Sequence, residues 1–360
     1  MTRYALLALP SANRVYRGSA PELAVAELGV LDAGVLGGRL RDVGRALLGG
    51  VPYLVFGTGD AGPLDDAALA VLAQLSTAYA LFEAGDDGRL TPVELPAPGD
   101  LDDDLVTVQK YAGKTNEQFT RLLLNVTAAS SGGAHRLAGG GLAVLDPLCG
   151  RGTTLNTALF AGHHAAGIEL DAKAVEIYGT FLRTWLERKR FKHRASYGPV
   201  RRSGALLGRR FEAEFATTKE AYRAGEVRRV EVVAADTLRA GDFFRPATFD
   251  VVVTDAPYGV QHGSRTGSRQ TRNPLALIEE ALPVWVRLLR PGGAVGIAWN
   301  TLVVPRADLV RLLGAAGLEP LDDGPYRGFE HRVDQAIVRD VAVARLPAPP
   351  AAPPASPSPR

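Results

Sequence analysis

Residues 142–169 read LAVLDPLCGRGTTLNTALFAGHHAAGIE. An apolar run ends in Asp146, and a turn carrying Gly150 and Gly152 follows. A helix-like segment then starts at Thr153, and a second apolar run closes on Glu169. Glycines stand where backbone must approach a ligand, and an acid ends each strand. A strand–turn–helix–strand unit of this kind commits the chain to a parallel sheet, with a nucleotide-type cofactor site at the strands' carboxyl ends.

The remaining pattern extends that unit. Residues 172–190 read as a long helix, 229–234 and 249–254 as strands, 275–289 as a helix, 294–299 as a strand, 306–316 as a helix and 335–346 as a strand. The order predicts an α/β fold: a doubly wound, Rossmann-like sheet, mostly parallel, closed by an antiparallel strand. Before it, residues 4–9, 51–56, 78–83 and 90–95 read as strands, the last two joined by the turn signal Gly85-Asp86-Asp87-Gly88. Helices are expected after Ser19, with Pro21 in its first turn, and over 64–75. This makes a small α+β domain over 1–100 and a larger domain over 101–346, joined by a linker at 96–104. Residues 106–111 read as a further strand and 119–128 as a helix with apolar Phe119, Leu122, Leu123 and Val126 on one face. The Pro/Ala-rich tail 347–360 reads as disordered.

The formal net charge is only +2, but it is unevenly spread. Residues 1–105 hold seven Arg against fifteen Asp or Glu, which argues against that part as the main phosphate-binding surface. Residues 189–210 hold eight Lys or Arg and no acid, inside an insertion over about 189–228 that reads as irregular. Its basic residues, Arg201 and Arg202 among them, suit phosphate contacts as well as they suit a solvated loop. The single cysteine, Cys149, rules out an internal disulfide and any zinc knuckle. No apolar run reaches the roughly 18 residues of a membrane span. A reducing, cytoplasmic setting is expected, with no metal and no membrane partner.

The chemistry-bearing residues fall in two clusters. In the first, Asp146 can accept from a cofactor ammonium, Pro147, Cys149 and Thr153 frame the turn, and Glu169 suits a vicinal ribose diol. Asp171 is its neighbour and a natural helix cap. Asp236, at the end of the next strand, suits an adenine amino group or a cap of its own. A tight turn without a ligand is the plain alternative. A dinucleotide site is disfavoured because Leu155 stands where G-x-G-x-x-G needs its third glycine. In the second cluster, Asp255-Ala256-Pro257-Tyr258, the Asp255 carboxylate and the Ala256 carbonyl can accept the protons of an exocyclic amine. Tyr258 can stack on a base that is extruded or already unpaired. His262, Arg265 and Arg269 follow in a basic loop suited to substrate backbone.

Together, Asp146-Pro147-Leu148-Cys149-Gly150-Arg151-Gly152-Thr153 and Thr254-Asp255-Ala256-Pro257-Tyr258-Gly259-Val260 resemble class I S-adenosylmethionine-dependent methyltransferases of the amino-group type. Their nearest likeness is to tRNA guanosine-N2 methyltransferases with a D-P-P-Y-G motif. Lys114-Thr115-Asn116-Glu117 and the helix after it resemble the segment preceding the glycine turn in that family. The first hundred residues look similar to its ferredoxin-like N-terminal unit, and the THUMP module that usually follows is absent. The resemblance implies S-adenosylmethionine as cofactor and an RNA partner, tRNA or rRNA, methylated on guanine N2. It also implies direct transfer resting on positioning and desolvation. DNA adenine-N6 or cytosine-N4 methylation, and a non-catalytic nucleic-acid binder keeping the fold, are the alternatives. Ala256 replaces the motif's first proline, and its carbonyl still supplies the acceptor.

Overall fold

The computed structural model describes residues 2–256 and 274–348. The first sheet comprises β1 (Arg3–Ala8), β2 (Arg41–Leu48), β3 (Val51–Gly57), β4 (Ala78–Ala84) and β5 (Leu90–Val93). Helices α1 (Arg14–Leu31) and α2 (Asp66–Leu72) are interleaved with these strands. The strand order β2-β3-β1-β4-β5 is antiparallel throughout, so the central β1 bonds the later strands β3 and β4. This is the small α+β unit expected from the sequence. Two local readings change. Helix α1 begins at Arg14, not after Ser19, because Asn13 Oδ1 accepts from the Val15 and Tyr16 amides at 3.0 and 3.1 Å. Pro21 therefore lies inside the helix. β2 is an edge strand whose Arg, Asp and Gly content hides it from pattern reading.

The connection carries α3 (Asp104–Thr107) and α4 (Glu117–Ala129). Residues 106–111 are not a strand: Val106 ends up in the short helix, and the chain then loops to Asn116, whose side chain caps α4 through the Phe119 amide at 3.0 Å. Then come β6 (Ala143–Asp146), α5 (Thr153–Phe160), β7 (His164–Glu169), α6 (Ala172–Arg188), β8 (Lys192–Arg202), β9 (Ala205–Ala216), α7 (Lys219–Ala224), β10 (Arg228–Ala234) and β11 (Phe249–Asp255). The chain finishes with α8 (Pro274–Leu288), β12 (Leu289–Asn300), α9 (Arg306–Ala315), β13 (Glu319–Leu321), β14 (His331–Arg332) and β15 (Val338–Arg345).

The second sheet runs β13-β15-β12-β11-β6-β7-β10-β9-β8, with β14 paired to β15. β12, β11, β6, β7 and β10 are mutually parallel, and β15 is the expected antiparallel addition. Successive residues of β11 face opposite cores. Val251 and Val253 join α4, α5 and α6, while Val252 joins α8 and α9. A strand buried on both faces needs such a continuous β-branched run.

The insertion is not irregular. β8 and β9 form a hairpin that extends the sheet beyond β10. Phe211, Ala213 and Phe215 of β9 alternate inward, and Phe211 and Phe215 meet Tyr178 and Phe191. Much of the basic charge at its base is neutralised by the acidic linker. Lys189 bonds Asp102 and Asp104 at 2.6 and 2.7 Å, and Arg228 pairs with Asp100.

The two sheets share one continuous core through α1 and α4. At its centre the Glu27 carboxylate is completely buried. It accepts from the Ser76 amide at 3.0 Å, the Ser76 hydroxyl at 2.5 Å and Asn125 Nδ2 at 2.7 Å. Asn125 also donates to the Gln74 carbonyl at 2.6 Å. Asn125→Ala leaves both acceptors short of a donor and is expected to cost about 1–3 kcal/mol of stability, read by urea unfolding.

Candidate active site

The chain reverses its direction of travel across the sheet at β6. From β6 it moves through β7 to β10 on one side, and then returns to place β11 on the other. Ligands of open α/β sheets bind at this switch point, outside the carboxyl ends of the strands. The glycine turn leaves β6 there and Asp255 ends β11 there. The register Val252↔Leu145 sets the two strand ends side by side.

The turn is built from backbone that only glycine adopts freely. Gly150 and Gly152 have φ of +52° and +84°. A Cβ on Gly152 would stand 2.3 Å from the Tyr178 ring, whereas one on Gly150 would meet open space. Gly152 thus packs the turn onto α6, and Gly150 opens it outward. The Glu169 carboxylate pins it from β7, accepting from the Gly150 amide at 3.0 Å and the Asp171 amide at 2.8 Å. Burial raises the Glu169 carboxyl above the usual range against those two bonds. Cys149 is buried with its sulfur over Gly167, and burial pushes its thiol well up, which suits packing and not a nucleophile. Pro147 is buried beside it.

Asp146 is 3% exposed. It accepts from the Leu148 amide at 3.1 Å and from the Thr254 hydroxyl at 3.0 Å, so it braces β6 to β11. Desolvation lifts its carboxyl to about 6. Asp171 caps α6 through the Lys173 amide at 2.9 Å. Asp236 caps the short helical turn Thr237–Asp242 through the Leu238 amide at 3.0 Å. Both stand at the same edge of the sheet as Glu169, since Ala234 pairs with Glu169.

Four participants had no role in the sequence pattern. Leu170, beside Glu169, is 71% exposed at this edge, an apolar surface next to the turn. Tyr111 and Thr115 lie on the loop between α3 and α4, which straps the mouth of the site. The Tyr111 and Thr153 hydroxyls share a 2.8 Å hydrogen bond, and the Arg151 guanidinium stacks on the Tyr111 ring at 5.1 Å. Thr115 donates to Asp255 Oδ2 at 2.6 Å. Lys114 gathers the loop by donating to the Val106 and Gln109 carbonyls at 2.7 and 2.8 Å. The fourth is Arg339 of β15, 5% exposed, lying 3.6 Å from Asp255 Oδ2 and 4.4 Å from the centre of the Phe119 ring. Ala256 is buried and its amide donates to the Ala298 carbonyl at 2.8 Å. Trp299 and Asn300 are core and cap: Trp299 donates to the Val304 carbonyl, and Asn300 accepts from the Leu302 and Val338 amides.

Pro257, Tyr258, His262, Arg265 and Arg269 lie outside the described residues. Arg201 and Arg202 stand at the tip of the β8–β9 hairpin. Among the described residues no group of His, Cys, Asp or Glu is arranged to hold a metal ion, and no helix is long and apolar enough to cross a membrane.

The sequence matches no protein-family model and no curated protein. Among solved structures it is similar to the 1,6-didemethyltoxoflavin-N1-methyltransferase of Burkholderia thailandensis, determined with 1,6-didemethyltoxoflavin and S-adenosylhomocysteine bound. Identity is 18%, covering 63% of this chain and 78% of that one, with a TM-score of 0.37. TrmN from Thermus thermophilus is 18% identical over 71% of this chain at a TM-score of 0.38, and this chain spans just over half of it, 56%. A TehB-like SAM-dependent methyltransferase from Corynebacterium glutamicum is 15% identical, covering 57% of this chain and 79% of that one, at 0.32. Likeness of this extent carries no assignment, and the chemistry has to be read from the site's own residues.

The raised Asp146 carboxyl gives a signed expectation. A group that binds its proton more tightly when folded lends stability that is complete below the ordinary carboxylate range and lost as pH rises through about 6. Asp146→Asn is expected to remove that decline, on the order of 3 kcal/mol between pH 4 and 7. Denaturant unfolding at the two pH values checks it.

Proposed function

We propose that the protein is an S-adenosylmethionine-dependent methyltransferase that adds a methyl group to an exocyclic amine of a nucleic-acid base, guanine N2 in tRNA or rRNA. The observation that carries the reading is the pairing at the switch point. A glycine turn pinned by Glu169 stands beside a clamped carboxylate, Asp255, with the two strand ends joined by the Thr254–Asp146 hydrogen bond. The open space at Gly150 and the exposed apolar Leu170 fit a nucleoside-bearing cofactor at this edge. In this reading the larger domain spans residues 101–346, the small one 1–100, and the enzyme works in the cytoplasm.

The assignments follow from donor and acceptor chemistry. Glu169 faces the ribose hydroxyls, since a carboxylate oxygen already bonded to one amide keeps a lone pair for a second donor. Leu170 packs on the adenine, and Asp236 accepts from its amino group. The turn around Asp146, Pro147, Cys149, Gly150, Gly152 and Thr153 takes the amino-acid end, with Asp171 holding the start of α6. When bound, S-adenosylmethionine supplies a methyl group activated on a sulfonium. Asp255 and the Ala256 carbonyl accept the N–H groups of the target amine and so aim its lone pair. Thr115 and Arg339 converge on Oδ2 of Asp255 and so hold the carboxylate in position. Pro257 and Tyr258, by their chemistry, are assigned as stiffener and stacking surface. His262, Arg265 and Arg269 contact the RNA backbone next to the target base.

Incubation with labelled S-adenosylmethionine and total RNA, followed by nucleoside mass spectrometry, is expected to place label in a methylated guanosine. Label in DNA instead would move the substrate to the DNA amino-methyltransferase class, and no transfer to either would sink the enzyme reading. Asp255→Ala is expected to lower transfer at least a hundredfold with cofactor affinity within a few-fold, by calorimetry. Thr115→Val is expected to lower kcat about tenfold at unchanged cofactor affinity, the loss of one positioning hydrogen bond.

A further inference from the structure

The β8–β9 hairpin is longer than its support. β9 pairs with β10 from Phe215↔Arg228 to Arg209↔Ala234, and Ala234 ends β10 at the same edge as Glu169. Residues 201–208 continue past that edge. At about 3.3 Å per residue a straight ribbon would reach at most roughly 15–20 Å beyond it. A bulge between Val200 and Arg201 re-aims the outer part. The tip is the dipeptide Ser203-Gly204, with φ of +49° and +85°, the conformation of a tight two-residue hairpin.

Exposed cations run the length of this ribbon, with Arg190, Lys192 and Arg194 near its base and Arg201, Arg202 and Arg209 further out. Near its base Lys189 is neutralised by the linker acids, and Arg210 lies between Glu212 and Glu231. The outer part carries Arg201, Arg202 and Arg209, all exposed, with no acid on either strand beyond Glu212. Arg202 leans over the site-side turn, donating to the Asp242 carbonyl at 2.6 Å and pairing with the Asp242 carboxylate at 3.7 Å, and Leu206 is 58% exposed beside it. Burial does not account for the exposed outer part, and the cofactor site lies short of it.

We propose that this hairpin is an arm that grips the phosphates of a structured RNA stem flanking the methylated nucleotide. The inference rests on the methyl-transfer reading for the identity of the RNA, while the arm's contact with phosphate is measurable without turnover. A target base seated at Asp255 leaves its own neighbours at the cleft. The arm's β9 stands four strands from β11, roughly 20 Å across the sheet at ~4.8 Å per strand. Only an RNA that extends at least that far from the target base reaches it, so the arm selects folded RNA over short oligonucleotides. Phosphate contacts of this kind position the substrate without reading its sequence.

The experiment compares the full-length protein with Arg201→Glu/Arg202→Glu, using total tRNA, or an rRNA fragment if that carries the label, and a short oligonucleotide bearing the same target. Fluorescence anisotropy is expected to show at least tenfold weaker binding of the folded RNA, with the slope of log K against log salt reduced by about 1–2. KM for folded RNA should rise while transfer to the oligonucleotide and S-adenosylmethionine affinity stay within twofold. An unchanged salt slope, or an equal loss on both substrates, would overturn the arm. RNA binding that depends on these arginines without any methyl transfer would keep the arm and overturn the methyltransferase reading. The opposite pattern would do the reverse.

Discussion

Between Thr254 and Asp146 runs a buried hydrogen bond on which the whole carboxyl edge of the sheet depends. The parallel neighbours β6 and β11 are separated in sequence by more than a hundred residues, and each ends at the candidate site. Without a fixed offset between them, the glycine turn and Asp255 would not share one cleft. The bond sets that offset at the cost of burying a carboxylate, and that burial pushes the Asp146 carboxyl up to about 6. Glu169 does the corresponding work on the other side, tying the turn to β7 through two backbone amides.

Asp255 is held by elements far apart in sequence: the strap by Thr115, and β15 by Arg339. Arg339 in turn lies on Phe119, which packs with His331, and both rings meet Tyr16 of α1. The small N-terminal unit is therefore mechanically continuous with the clamp on Asp255. Its acidity has a use as well, since acids just after it draw in Lys189 and Arg228. Catalysis that relies on orientation calls for such a rigid surround.

The sequence made the sheet legible where period and burial agree. The unbroken apolar β11, the Gly150 and Gly152 turn, and the capped helices after Asn116 and Asp171 all appear where pattern predicts. It misled where tertiary bonds decide. Residues 106–111 alternate like a strand, but Lys114 gathers their carbonyls into a loop. The hairpin's inward Phe211, Ala213 and Phe215 were obscured by dense arginine, although Ser203-Gly204 is a turn signal. Arg339 could not be found from local pattern, because its partner Asp255 lies 84 positions earlier and only the β11-β12-β15 order brings them together. The candidate cofactor side was thus more readable than the clamp. One belongs to a single local unit and the other to the assembled sheet.

The central claim is that S-adenosylmethionine chemistry sits at this edge. Amide hydrogen exchange with and without S-adenosylhomocysteine tests it most directly. The account predicts slowed exchange in the peptides spanning 147–152, 169–173 and 236–238, with the small sheet unchanged. Protection elsewhere, or none at saturating ligand, would contradict it.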